Sequence, residues 1–126
     1  MFDIIIIGGG PAGLTAALYG RRQNKSVLVL EKNSFGGQTV FSPKIENYPG
    51  FVEMSGMEFS DKLVDQVLKQ GADLRMETAV EITDLGKTKK VTSDCGEYES
   101  RTVIIATGAK HRLLGLDGEE ELIGNG

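Results

Sequence analysis

The sequence has one cysteine, one histidine and no tryptophan in 126 residues, and the first two scarcities each narrow its chemistry. A lone thiol cannot close an internal disulfide, so nothing points to an oxidising compartment, and Cys95 reads as an inert side chain in a turn beside Asp94 and Gly96. His111 sits between Lys110 and Arg112 past the last apolar run, which is the setting of a solvated loop residue and not of a general base. No catalytic side chain and no metal-ligand set is assigned. A basic stripe is lacking too: 14 Lys and Arg are scattered among 18 Asp and Glu for a net charge of −4, which argues against a nucleic-acid partner. Long hydrophobic runs are missing as well. The apolar start from Phe2 to Ile7 is broken by Asp3, is too short to span a bilayer and has no basic region before it, so no membrane partner and a soluble, cytoplasmic chain are expected.

What the chain does have is glycine. Seventeen of them without a short repeat mark places where the backbone turns sharply or approaches a ligand closely. A composition of 40% hydrophobic and 25% charged residues is that of a globular chain. Asp3 to Ile7 is a β-branched run apolar on both faces, as in a buried parallel strand. Pro11 suits a first helical turn, and Leu14, Ala17 and Leu18 recur at helical spacing as far as Gln23. Ser26 to Leu30 is a second buried strand, completing a βαβ unit. Glu31 to Gly56 shows neither period and contains Gly36-Gly37, Ser42-Pro43 and Tyr48-Pro49-Gly50, the signature of a long functional loop. Ser55 and Glu58 form a capping box for a helix presenting Leu63, Val64, Val67 and Leu68 on one face and stopping at Gly71. Ala72 to Met76 supplies a third parallel strand, Ala79 to Glu99 an antiparallel meander, and Thr102 to Ala106 a last buried strand. Glu119 to Glu121 read as solvated linker charges.

The strongest motif is Gly8-Gly9-Gly10-Pro11-Ala12-Gly13, a G-x-G-x-x-G between a strand and a helix. Gly8 permits the tight turn, Gly10 lets the backbone reach a pyrophosphate, and Gly13 lets the helix lie close on the strand, the helix N-terminus then offering its unpaired N–H groups to the anion. Glu31 ends the second strand eighteen positions after Gly13, where a carboxylate accepts from two ribose hydroxyls and repels a 2′-phosphate. The fingerprint implies a dinucleotide. It does not separate FAD from NAD, since both present the same adenosine and pyrophosphate.

Four segments carry a resemblance: GGGPAG, EKNSFGGQ, IENYPGF and VIIATGA, in that order, resemble the low-molecular-weight bacterial thioredoxin reductases over nearly the whole chain. The resemblance implies a Rossmann-like FAD-binding fold, a parallel sheet with an antiparallel β-meander. It implies FAD contacts from Glu31 to Gln38, including Lys32, with Gly36 and Gly37 admitting the backbone. Gln38 and Asn47 match positions facing the flavin end, Val80 a position whose backbone borders the adenine, and Ala106, Thr107 and Gly108 an ATG segment near the cofactor. By itself Asn47 also reads as the cap of the Tyr48-Pro49-Gly50 turn, and Val80 as a core strand residue. The family continues through a linker into an NADPH domain with a Cys-x-x-Cys pair and then returns to finish the FAD domain. The expected organisation is therefore an FAD-binding segment over 1–116 and a linker over 117–126 towards an absent NADPH domain. The resemblance implies an incomplete FAD fold, its C-terminal part being absent. The expected function is the FAD-binding portion of a thioredoxin-disulfide reductase, with thioredoxin or a similar disulfide protein as partner of the parent enzyme and a homodimer as its assembly. A ferredoxin/flavodoxin-type NADP reductase, or a non-catalytic FAD-binding fragment, remains open at this point.

Overall fold

The computed structural model describes residues 1–124. Its elements are β1 (Phe2–Ile7), α1 (Pro11–Arg22), β2 (Val27–Glu31), a 3-10 turn (Gly37–Phe41), α2 (Gly56–Lys69), β3 (Asp73–Met76), β4 (Ala79–Asp84), β5 (Lys89–Ser93), β6 (Glu97–Ile105) and α3 (Glu119–Leu122). The described strands make one sheet in the order β3-β2-β1-β6-β5-β4. β1 pairs in parallel with β2 on one side and β6 on the other, β2 pairs in parallel with β3, and β4, β5 and β6 pair antiparallel.

Side-chain alternation along the central strands divides the interior into two layers. Ile6, Val27 and Val29 face Leu14 and Ala17 of α1 and Val67 of α2, all of them buried. Ile5, Leu28 and Leu30 point the other way, onto Val91 of β5, with Tyr98 and Val103 of β6 packed around them. The continuous apolar runs of β1 and β2 are thereby explained, because each strand has a packed layer on both faces. Leu68, expected on the buried face of α2, is instead 48% exposed. Its neighbours Leu63, Val64 and Val67 already fill the contact with the sheet.

Polar contacts fix the layers. The capping box at α2 is present in both directions: Ser55 Oγ accepts from the Glu58 N–H at 3.1 Å, and a Glu58 carboxylate oxygen accepts from the Ser55 N–H at 2.9 Å. Arg21, in the last turn of α1, donates to the Gln70 carbonyl at 2.9 Å, tying the two helices together at one end. Across the sheet, Arg75 of β3 pairs with Asp73, donates to the Tyr98 hydroxyl at 3.1 Å and lies over the Tyr98 ring. The Tyr98 hydroxyl in turn donates to Glu77 at 2.8 Å. β3 is thus fastened to the meander through side chains, although four other strands separate it from β4 in the sheet.

Asp3 closes the start of β1. Its carboxylate accepts from the Ser26 N–H at 2.8 Å and the Ser26 hydroxyl at 3.0 Å, and the backbone bond first, then the hydroxyl, holds this acid below the ordinary value of 3.8. A folded-state pKa below the unfolded one stabilises above the unfolded value and is lost as pH falls through the folded one. Asp3→Asn should therefore flatten the decline of the melting temperature as the pH drops below about 3.8. An acid limb unchanged in the variant would mean that Asp3 contributes nothing to it.

Two expectations are revised. The meander and the strand expected to be buried at Thr102 to Ala106 are one element, since β6 runs without interruption from Glu97 to Ile105, pairing through its first half with β5 and through Ser100 to Ile105 with β1. None of Thr102 to Ala106 is buried, because past Ser100 β6 has no strand beside it other than β1 among the described residues. The 117–126 stretch contains α3, and Glu119, though in contact with solvent, is more than a free charge: its carboxylate accepts the N–H groups of Leu114, Gly115 and Leu116, which hold it below the usual carboxylate range, Leu114 foremost. Asn125 and Gly126, the end of the expected linker, lie outside the described residues. Among the described residues no helix is long and apolar enough to cross a membrane.

Candidate dinucleotide site

Three parallel strands end side by side at the glycine loop. β1 runs into Gly8, β2 ends on Glu31, and β6 runs into Ala106 and Thr107. The chain leaves β1 towards β2 on one side, whereas β6 lies on the other, so the loop after β1 sits where the connections diverge. Open α/β sheets bind ligands at such a point. A cleft of about 670 Å³ opens there, within the range of small-molecule sites.

The glycines divide by task. At Gly8 φ is +109°, a conformation that disfavours any side chain, and its inner face lies against the Ala106 carbonyl. Gly13, in the first turn of α1, is buried against the Gly8 carbonyl oxygen, with Ile6 also beside it. These two let strand, helix and β6 come together. Gly10 differs: a Cβ placed there would find only the Gly37 Cα, at 3.8 Å, so this residue keeps space open for something other than protein. Pro11 occupies the first position of α1 and carries no N–H, while Ala12 follows it on the cleft wall.

Glu31 and Lys32 form the floor at the end of β2, and Gly37 and Gln38 the opposite wall at the start of the 3-10 turn. The Gln38 side-chain amide donates to the Ala109 carbonyl, joining that wall to the loop after β6. Ala106, Thr107 and Gly108 complete the lining on that side. The structure therefore gathers eleven of the expected contact residues on one cleft: Gly8, Gly10, Pro11, Ala12, Glu31, Lys32, Gly37, Gln38, Ala106, Thr107 and Gly108.

Four expected contacts lie elsewhere. Gly13 supports the cleft from beneath. Gly36 stands behind the wall, its N–H donating to the Gly9 carbonyl at 2.7 Å and its open face pressed on Ser60 of α2. Asn47 is exposed in the loop closed by the Ile45–Met54 bridge, away from the cleft lining, in a segment whose Tyr48 ring packs on Phe59 at 5.0 Å between centroids. Val80 is 64% exposed and lines a smaller hollow of about 290 Å³ with Ile82 and Ile105, and Thr107 stands between the two hollows. Asn33 and Ser34, within the Glu31 to Gln38 span expected to meet FAD, line the near wall, whereas sequence reasoning passed over Thr39 and Phe41 there and Ala109 and Lys110 on the far one. Cys95 is exposed, and partial desolvation and then the neighbouring Asp94 push its thiol up, the opposite of what a nucleophile requires. His111 is exposed as well. The oxygens of Glu77, near Cys95 and Asp94, are taken by the hydroxyls of Tyr98 and Ser93.

The family model described as pyridine nucleotide-disulphide oxidoreductase matches residues 2–126. A thioredoxin reductase of Listeria monocytogenes is 45% identical over 126 residues, all of this chain and 40% of that protein. One of Bacillus subtilis is 43% identical over the same length and share. The crystal structure of Lactococcus lactis thioredoxin reductase superposes with a TM-score of 0.90 at 40% identity, covering 98% of this chain and 41% of that one. The chain spans about 40% of the length of the relatives it matches, and with a family match along almost all of its residues it belongs to the pyridine nucleotide-disulphide oxidoreductases.

Proposed function

We propose that this chain is the FAD-holding part of a thioredoxin reductase. The observation that carries the reading is the cleft at the divergence of β1 and β6, where Gly10 leaves open space beside the N-terminus of α1. Pyrophosphate meets there the N–H groups of a helix start, whose partial positive charge favours an anion. Glu31, buried at the end of β2, stands where the ribose of the adenosine half would lie. Gln38, with an amide that both donates and accepts, suits the polar edge of a flavin ring at the other end of the cleft.

When bound, FAD supplies a two-electron carrier between a nicotinamide and a disulfide. This chain's own residues bind its phosphates, orient its ribose and wall the cleft on both sides. The parent enzyme passes electrons from NADPH to a cysteine pair and on to thioredoxin or a similar protein by disulfide exchange. It works in the cytoplasm as a homodimer. Among these 126 residues there is one cysteine and one G-x-G-x-x-G motif, so the dithiol and the nicotinamide site belong to other stretches of the parent.

Purified chain mixed with FAD or NAD and freed of excess ligand should retain flavin absorbance and no NAD. Supplied with FAD, NADPH and oxidised thioredoxin, it should form no thiol above a flavin-only control. Retention of NAD without flavin would overturn the cofactor assignment, and sustained turnover would overturn the division of labour.

A further inference from the structure

The Glu31 carboxylate is engaged by the protein's own backbone. One oxygen accepts the Gly9 N–H at 2.7 Å and the other accepts the Asn33 N–H at 2.8 Å, and the residue is only 9% exposed. Gly9 is held on its other side as well, its carbonyl accepting the Gly36 N–H at 2.7 Å, while Phe35 and the Glu31 Cβ fill the space where a side chain would project. The first part of the glycine loop is thus drawn inwards, onto the end of β2.

This leaves a short choice of donors for a phosphate. The Gly8 N–H is spent on the Leu30 carbonyl at 2.9 Å, the Gly9 N–H on Glu31, and Pro11 has none. The first bond into α1 is made by the Leu14 N–H, so at this turn the anion is left with the N–H groups of Gly10, Ala12 and Gly13, the first two of them on the cleft wall. We infer that Glu31 is a positioning residue for the anion-binding loop: by holding the Gly9 N–H it sets the direction of the peptide groups that follow. A carboxylate has about four lone-pair sites, so two bonds to backbone leave capacity for ribose hydroxyls. One side chain then serves both halves of the nucleotide, touching the ribose and acting on the phosphate through Gly9. The inference rests on the reading of the cleft as a dinucleotide site.

Glu31→Gln keeps the size but replaces one acceptor by an NH2 group, which confronts one of the two N–H donors. Hydrogen bonds to a charged group are the stronger ones, so the loss should appear as roughly a tenfold or greater change. In the FAD-free chain, NMR should show the Gly9 amide of the variant exchanging with solvent at least about tenfold faster, with the amides of Ile6 and Val29 unchanged. Inorganic pyrophosphate, which has no ribose, should bind about tenfold more weakly. A Gly9 amide as protected as in the parent chain, or pyrophosphate affinity unchanged while adenosine binding falls, would overturn the inference and leave Glu31 a ribose contact only. If Glu31→Gln does not fold, Glu31→Asp decides. It keeps the charge but falls short by one methylene, and undiminished Gly9 protection in that variant is equally fatal. Failure of the parent chain to take up FAD, with Gly9 still loosened by E31Q, would sink the cofactor reading alone.

Discussion

Gly13→Ala should unfold the chain or lower its melting temperature by roughly 10 °C or more, without any ligand present. The added methyl would sit on the Gly8 carbonyl oxygen, with the Ile6 Cγ2 at 3.3 Å on its far side. Neither neighbour can retreat. Gly8 is fixed by its own bond to Leu30 and its contact with Ala106, and Ile6 is fully buried between β1 and α1. Overpacking of this kind commonly costs about 1–3 kcal/mol, and more where the obstacle is backbone. A small domain has only about 5–15 kcal/mol of net stability to lose. Thermal denaturation followed by circular dichroism reads the effect directly. A Gly13→Ala chain melting within a degree or two of its parent would mean that α1 can lift off β1 freely, and the close packing ascribed to this glycine would be wrong.

Gly10→Val should do the reverse, leaving the fold intact and abolishing cofactor binding. At this residue φ is −76° and ψ −174°, extended backbone in which a β-branched side chain is comfortable, and the nearest protein atom to its Cβ is 3.8 Å away. The variant should therefore melt close to the FAD-free parent. Its methyl groups would fill the space beside the α1 N-terminus that a pyrophosphate needs, and FAD affinity should fall by at least about a hundredfold, close to 2.7 kcal/mol. Calorimetric titration of both chains with FAD checks the second half. Equal affinity would move the phosphate site elsewhere, whatever the motif suggests.

The contrast between these two glycines shows how far the sequence could be read. The G-x-G-x-x-G spacing assigned a steric task to each position, and at Gly8 and Gly13 the packing agrees, while Gly10 faces open space, because strand, turn and helix are local and leave little choice of geometry. The capping box at Ser55 and Glu58 was legible for the same reason. Gly36 was misjudged. Its φ of +111° serves close contact with Ser60 of α2, a long-range approach that no local pattern announces. The continuity of β6 was also hidden. Its first half alternates against β5 and its second is apolar against β1, so one strand carries two periods and reads as two elements. The far wall at Ala109 and Lys110 was missed because the loop after β6 has no pattern of its own and is placed by the sheet.

That shared strand has a consequence for cooperativity. The layer of α1 and α2 and the layer of the meander have separate interiors, and each by itself could have been an independent unit of unfolding. Ser100, fully buried, is paired with Phe2 of β1 and with Lys89 of β5 at once. Opening the meander must therefore pull on the strand that forms one wall of the cleft. Among the described residues the meander is therefore no loosely attached subdomain to be lost first, and the slowest-exchanging amides in β1, β5 and β6 should be released together in a single global transition.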